Sequence, residues 1–455
     1  MAKNHQLLIM KIYFLVTSVL ATCILLGACN IAGKNVELPY SQQMVESQAL
    51  RSFYNNKDES QTITARWGYV PGLVASSVLK TYLQYPEKTE YYQTIKAYAD
   101  HSLLPGDTVR AESSNIDDIA AGKIFFMLWC VETEKGNPAD AARYKNAATW
   151  LRNNLKYNHR RIDESRPGAG RWIHKAIYPD QIWLDGLYMG PALYAEWQHY
   201  FGAEESESIN MDSWTDIALQ FEITHQYTWD AEKQLSYHAW ASDPDAPNAF
   251  WAKREEPHKG CSPEFWGRGM GWFFAALVDV LEWMPKSHPH YQNLIVITNQ
   301  IAQGLVKYQD QTTGCWYQLL QYDAGKTADN KGDELNGTVY NQCDRPNYTE
   351  SSSSSMFTYA YLKGIRLGIL DKTTYLPTAL KAYQGLLDTF IRTEDDRSIS
   401  IISSCNSAGL GPARDLSRTG TVNYYLCGKD TFVTQNEGKA IGPFVMASLE
   451  MELLK

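Results

Sequence analysis

Asp185 is the residue around which chemistry can be built in this chain. It sits in Arg171-Trp-Ile-His-Lys-Ala-Ile-Tyr-Pro-Asp-Gln-Ile-Trp-Leu-Asp-Gly-Leu-Tyr-Met-Gly-Pro191, with Trp183 and Leu184 before it and Leu187 and Met189 after it. A carboxyl among such neighbours is poorly hydrated, which favours the protonated form needed for proton donation. Pro179 suits a first helical turn, so the stretch predicts a loop to Tyr178 and a helix from about Asp180, with Trp183 and Asp185 near its N-terminal end. The structural alternative is a first-turn acid that complements the helix dipole. Spacing alone does not choose between them.

Four further stretches share this chemistry. Asn115-Ile-Asp-Asp-Ile-Ala-Ala-Gly-Lys123 supplies a second carboxyl, Asp117, while Asp118 reads as a solvated or helix-start acid. Tyr237-His-Ala-Trp240 supplies His238, although a lone histidine is more often structural than catalytic. In Ser262-Pro-Glu-Phe-Trp-Gly-Arg-Gly-Met-Gly-Trp272, Arg268 and Trp272 are four apart and share a helical face, and an arginine beside an indole suits a carboxylate. Gly314-Cys-Trp-Tyr-Gln318 carries Trp316, equally suited to core or platform. Aromatic residues make up 13% of the chain, with 14 Trp and 29 Tyr, more flat faces than a core requires and what stacking on sugars needs. A net charge of −9 argues against a nucleic-acid partner.

Helical periodicity dominates the elements that must position these groups. Leu294, Ile297, Ile301, Leu305 and Tyr308, and likewise Leu376, Leu380, Tyr383, Leu387 and Phe390, recur in steps of three and four and predict helices with one buried face. The stretch from Met270 to Met284 is apolar nearly all round, as is Ile116 to Val131, predicting helices buried on most sides. Mostly buried segments near Val70–Gln84, Ile116–Lys135, Ile182–Phe201, Ser262–Met284, Ser351–Gly368 and Ile441–Leu454 alternate with one-faced segments near Tyr91–Leu103, Pro138–Tyr157, Asp212–Tyr227, Tyr291–Gln309 and Leu376–Ile391. An amphipathic Ser41–Tyr54 completes the second set. Six hairpins of alternating burial predict an all-α closed double ring, an (α/α)6 barrel, with an open helical solenoid as the alternative. The long polar loops Ser242–Ser262 and Tyr322–Glu350 are placed to carry function or a rim. The Ser351–Ser355 run is expected to contain a helix N-cap.

These stretches together resemble glycoside hydrolase family 105, the unsaturated rhamnogalacturonyl hydrolases, and more distantly the unsaturated glucuronyl hydrolases of family 88. The resemblance runs in order from about Trp67 to the C-terminus, through Asn115-Ile-Asp117, His174-Lys175, Trp183–Met189, Tyr237-His238, Phe265-Trp-Gly-Arg268 and Gly442-Pro-Phe444. It implies an (α/α)6 barrel with no metal or other cofactor. It also implies Asp185 as general acid/base, Asp117 as a second active-site carboxylate, and Trp183, His238, Arg268 and Trp272 as substrate contacts, with His174 in the motif loop. The chain carries Tyr-His-Ala-Trp-Ala-Ser where many relatives have Asp after the Trp, a departure at the rim that bears on substrate preference.

The implied reaction is hydrolysis of a terminal 4,5-unsaturated uronic acid left by a polysaccharide lyase, with unsaturated galacturonyl-rhamnose from pectin as the family's default substrate. Two other readings stay open. A conventional inverting glycosidase would use Asp185 and Asp117 on saturated sugars, and a non-catalytic glycan-binding lipoprotein would turn over nothing.

The N-terminus reads as a signal. Lys3 and Lys11 precede an apolar run, Ile12 to Leu26, that ends in Leu26-Gly27-Ala28-Cys29 and resembles a bacterial lipobox. The run is shorter than the roughly 20 residues a membrane span needs. Residues 1–28 are therefore expected to be a lipoprotein signal peptide, Cys29 a lipidated N-terminus, 29–38 a tether and 39–455 one catalytic domain, anchored by lipid to the bacterial outer membrane. Eight cysteines include no Cys-x-x-Cys, which argues against zinc or redox motifs. Cys130 is expected to be a buried thiol, and Cys405 with Cys427, or Cys315 with Cys343, can pair.

Overall fold

A computed structural model describes residues 38–54, 62–111 and 114–454; the signal, most of the tether and Cys29 lie outside them. Five helical hairpins follow one another: Tyr69–Gln84 (α1) with Thr89–Ser102 (α2), Lys123–Glu134 (α3) with Pro138–Asn153 (α4), Pro191–Phe201 (α5) with Glu207–Thr228 (α6), Gly267–Trp283 (α7) with Tyr291–Lys307 (α8), and Ser351–Arg366 (α9) with Lys372–Phe390 (α10). Gly438–Leu453 (α11) is the last. The N-terminal segment 40–53, which passes through a wide π turn at Val45–Ala49, packs on α11 and completes the sixth pair.

The odd-numbered helices form the inner ring. Each packs on the next, from α1 through α3, α5, α7 and α9 to α11, and α11 returns to α1. Closure is tight there: a Cβ on Gly442 would lie 2.8 Å from Leu73 Cγ, so glycine lets the two helices approach. The burial pattern expected from the sequence holds. In α7 nearly every residue from Gly267 to Leu281 is buried, whereas α8 buries one stripe built on Leu294, Ile297, Ile301 and Leu305. Each such side chain, fully buried, contributes about 1.5–3 kcal/mol.

Three local expectations are corrected. The helix expected from about Asp180 does not begin there. Asp180 takes a left-handed φ of 55°, Gln181–Trp183 forms a strand paired antiparallel with Ala239–Ala241, and only Asp185–Met189 is helical. Cross-strand pairing overrides the helical signal of Pro179. The serine run does not cap its own helix: Ser351–Ser355 are buried inside α9, and the cap is Glu350, whose carboxylate accepts from the Ser353 N–H at 2.7 Å. Neither expected cysteine pairing forms; the disulfide is Cys343–Cys427, with Cα atoms 5.8 Å apart, and it ties the 322–350 loop to the short helix Val422–Cys427. Cys315 and Cys405 are buried free thiols, as is Cys130, as expected.

Candidate active site

The inner helices all start at one end of the barrel, and the candidate groups sit at those starts. Tyr69 opens α1, Arg268 is the second residue of α7, Glu350 and Glu437 cap α9 and α11, and Asp117 and Asp185 open the short helices just ahead of α3 and α5. The long connections, 229–266, 308–350 and 391–437, run from outer helices back to these starts.

The 181–183 strand sets the central contact. Its pairing with 239–241 brings the Leu184 N–H to the His238 carbonyl at 3.1 Å, and the side chains of the next residues then meet. His238 Nε2 lies 3.1 Å from Asp185 Oδ2, and His238 Nδ1 lies 2.7 Å from the Tyr425 hydroxyl. Burial pushes the Tyr425 phenol well above its usual range. A protonated phenol donates to Nδ1, and this tautomer leaves the hydrogen on Nε2, facing the Asp185 carboxyl. His238 is wholly buried, against Trp266 on one side and the edge of Trp183 on the other.

Asp117 is held differently. His174 Nε2 lies 3.1 Å from its Oδ1 and Lys175 Nζ 2.6 Å from its Oδ2. Burial alone would raise its pKa, but the two basic side chains outweigh burial and hold the carboxyl well below the usual range. Asp117 is therefore a fixed carboxylate with both oxygens engaged. His174 is oriented in turn by stacking on Trp183, ring centres 5.1 Å apart, and Trp183 stacks on Tyr178 at 4.5 Å. The Trp183 indole N–H donates to Gln181 Oε1 at 3.0 Å.

Two of the expected substrate contacts, Arg268 and Trp272, lie buried beside the site. The Arg268 guanidinium is buried and donates to Ser352 Oγ at 2.7 Å, to Glu350, and to the carbonyls of Cys405 and Asn406. As placed, it anchors the 404–406 segment and neutralises the buried Glu350 carboxylate, which would otherwise be left without a counter-charge. Trp272, also buried, packs on Tyr188 at 4.7 Å and edge-on to Tyr69 at 6.5 Å, a wall beneath the half-buried Tyr69 ring. Trp316 is core, its indole N–H donating to the Leu305 carbonyl at 2.8 Å.

Three residues escaped the sequence reading. Tyr425 lies in a region with no motif, and Tyr69 sits beside the opening of the matched region near Trp67. Lys175 stood in a quoted motif, where a cation next to His174 was the available signal. Among the described residues no cluster of three or more His, Cys, Asp or Glu is arranged to hold a metal ion.

A closed double ring of helices, with a histidine-braced carboxyl and aromatic walls at the inner-helix starts, defines a sugar-cleaving (α/α)6 enzyme. The chain belongs to Glycosyl Hydrolase Family 88, whose family model matches residues 40–334 and 333–455. A family 105 glycoside hydrolase structure from C. acetobutylicum is 34% identical, with a TM-score of 0.72, covering 91% of this chain and all of that one. A 24.9 kDa protein in the picA locus of Rhizobium radiobacter is 32% identical over 213 residues, 46% of this chain and 80% of that protein. An unsaturated 3S-rhamnoglycuronyl hydrolase of Formosa agariphila is 26% identical over 215 residues, 45% of this chain and 46% of that protein.

Proposed function

We propose that the enzyme removes a terminal 4,5-unsaturated uronic acid from lyase-generated oligosaccharides, with Asp185 as the single acid and base. The observation that carries this is the asymmetry of the two carboxyls. Asp117 has both oxygens bound by the basic side chains of His174 and Lys175, which hold it as a carboxylate with no proton to give, whereas Asp185 meets only the neutral-tautomer N–H of His238, at Oδ2. An inverting mechanism on a saturated sugar needs two working carboxyls, one acid and one base. Hydration of an enol ether needs one.

Asp185 gives its proton to C4 as the C4=C5 bond opens, water adds at C5, and Asp185 takes the proton that this water loses. The hemiketal at C5 opens to a ketone, and the hemiacetal left at C1 releases the partner sugar. The His238 Nε2–H holds Asp185 in place through the cycle. Lys175, His174 and the partial positive charge at the inner-helix starts offset the charge of a uronate. Unsaturated galacturonyl-rhamnose is the proposed substrate, and the relative named for unsaturated 3S-rhamnoglycuronyl hydrolysis makes a rhamnose in the second position the chemistry to try first.

Purified enzyme offered unsaturated disaccharides with different second sugars should abolish their near-ultraviolet absorbance. Turnover of saturated disaccharides alone would instead favour the inverting reading. We propose further that Cys29 is lipidated and anchors the enzyme to the outer membrane, supported by Leu26–Cys29 and the short apolar run before it. Cys29→Ser should move it from the membrane fraction to the soluble one.

A further inference from the structure

His238 and its neighbour Tyr237 form the link between the strands Leu235–Ser236 and Ala239–Ala241, and they make different contacts. His238 packs on Trp266 with ring centres 4.5 Å apart and reaches Asp185, whereas Tyr237 packs on Phe265 at 4.2 Å and its hydroxyl reaches Asp230. Two consecutive residue pairs thus make a wall with the active site on one side. On the other lies a groove of about 530 Å³, lined by Tyr237, Phe265, Tyr308, Tyr322, Glu264 and Gln321. That volume falls within the roughly 300–1,000 Å³ of small-ligand sites.

The groove is built rather than incidental. Each of its three tyrosines is pinned by its hydroxyl: Tyr237 donates to Asp230 at 3.0 Å, Tyr308 donates to the Lys233 carbonyl at 2.8 Å, and Tyr322 bonds Glu264. Tyr237 is buried, with Phe265 stacked on its ring and the Lys253 ammonium over it, so the ring surface offered to a ligand is that of the half-buried Tyr308 and Tyr322, already held in place with little order left to impose on binding. The Gln321 amide nitrogen donates to Glu264, and its Oε1 is buried without a hydrogen-bond partner. Burial is the main cause that pushes the Glu264 carboxyl up to about 7, so in neutral solution it both donates and accepts. Of the charged side chains that line it, the Lys233 ammonium is already paired with Glu232 at 2.9 Å and the Lys307 ammonium lies over the Tyr308 ring, 5.3 Å from its centre. Among the described residues no arginine lines the groove to grip the carboxylate of an acidic sugar with two parallel hydrogen bonds.

We propose that this groove is a second saccharide site, taking a neutral pyranose of an oligosaccharide against the tyrosine rings, with Glu264 and Gln321 addressing its hydroxyls. The choice of a saccharide over another flat ligand rests on the sugar-cleaving reading of the neighbouring site. The site binds without cleaving, because Asp185 lies across the wall.

The test uses the full chain and four probes, maltotetraose, cellotetraose and galactotetraose as neutral arms and tetragalacturonate as the acidic arm, read by titration calorimetry. At least one neutral probe should bind, and the Tyr308→Ala, Tyr322→Ala double variant should weaken that binding about tenfold, the worth of two aromatic contacts. Turnover of an unsaturated disaccharide should be unchanged in this variant. Tyr322→Phe keeps the ring and loses only the bond to Glu264, so it should retain most of the affinity and guards against a folding defect in the double variant. Absence of binding by every neutral probe, binding indifferent to the double variant, or tighter binding of tetragalacturonate would each overturn the proposal. A protein that binds through the groove yet opens no unsaturated sugar would overturn the reading of the active site and leave this one standing.

Discussion

Arg268 and Glu350 meet at 3.4 Å with neither side chain more than 1% exposed. The pair joins the start of α7 to the cap of α9, and Glu350 also accepts from the N–H groups of Ser353 and Cys405. Burial alone would raise the Glu350 pKa; Arg268 and these donors outweigh it, and the net shift is downward. Arg268→Ala should therefore destabilise the fold by about 3–5 kcal/mol, the cost of leaving a buried charge unpaired. Its pH dependence has a definite sign. In the wild type the pair's contribution is present above the unfolded carboxyl value of about 4.3 and is lost as pH falls, whereas in the variant burial raises the Glu350 pKa and protonation relieves it. The stability gap between the two, measured by urea denaturation, should shrink as the solution is acidified. A constant gap would mean that Glu350 is not the group left unpaired.

Asp185→Asn preserves shape but removes the exchangeable proton. Turnover should fall by about 10² to 10⁴ or more while substrate affinity persists. In heavy water the wild-type product should carry deuterium at C4, and a product without it would exclude protonation of the double bond.

Tyr425→Phe removes the donor that sets the His238 tautomer and leaves the ring packing. Loss of one hydrogen bond worth about 1 kcal/mol predicts a roughly fivefold fall in kcat with KM nearly unchanged. A change confined to KM would place Tyr425 against substrate instead.

Asp117 carries its own acid signature. Because its folded pKa is depressed, its stabilisation is full above the unfolded value of about 3.9 and fades as pH falls through the folded one. Asp117→Asn should lose stability at neutral pH, and the difference from wild type should narrow only in strongly acidic solution. Denaturant midpoints across the acid range provide the measurement.

Cys343 and Cys427 close a loop of 84 residues. Cys343→Ser should lower stability by roughly 2–4 kcal/mol and loosen the segment bearing Tyr425. Proteolysis should cut first within that segment, and equal resistance in both proteins would show that packing alone holds it.

Helix order and burial were legible in the chain because both are local. A helix with solvent on one side needs a stripe of apolar residues and a helix enclosed by others does not, so α8 and α7 differ in sequence before any contact is known. Asp117, His174, Trp183, Asp185 and His238 each stand in a dense motif, and the structure brings them into one cluster, His174 against Asp117 and Trp183, and His238 against Asp185 and Trp183. Partners that meet across long separations were not legible. Tyr425 reaches His238 across 187 residues and Glu350 reaches Arg268 across 82, with nothing in either local sequence to announce the meeting. The cysteine pairing failed for the same reason, because bonding depends on how close ring closure brings two loops and not on their composition. The strand at Gln181–Trp183 was missed because its pairing with Ala239–Ala241 outweighs the local helical preference of Pro179. Which side chains carry acids, bases and charges is a property of the chain; which partner each takes, His238 for Asp185, His174 and Lys175 for Asp117 and Glu350 for Arg268, was decided only when the ring closed and each buried charge met its nearest partner.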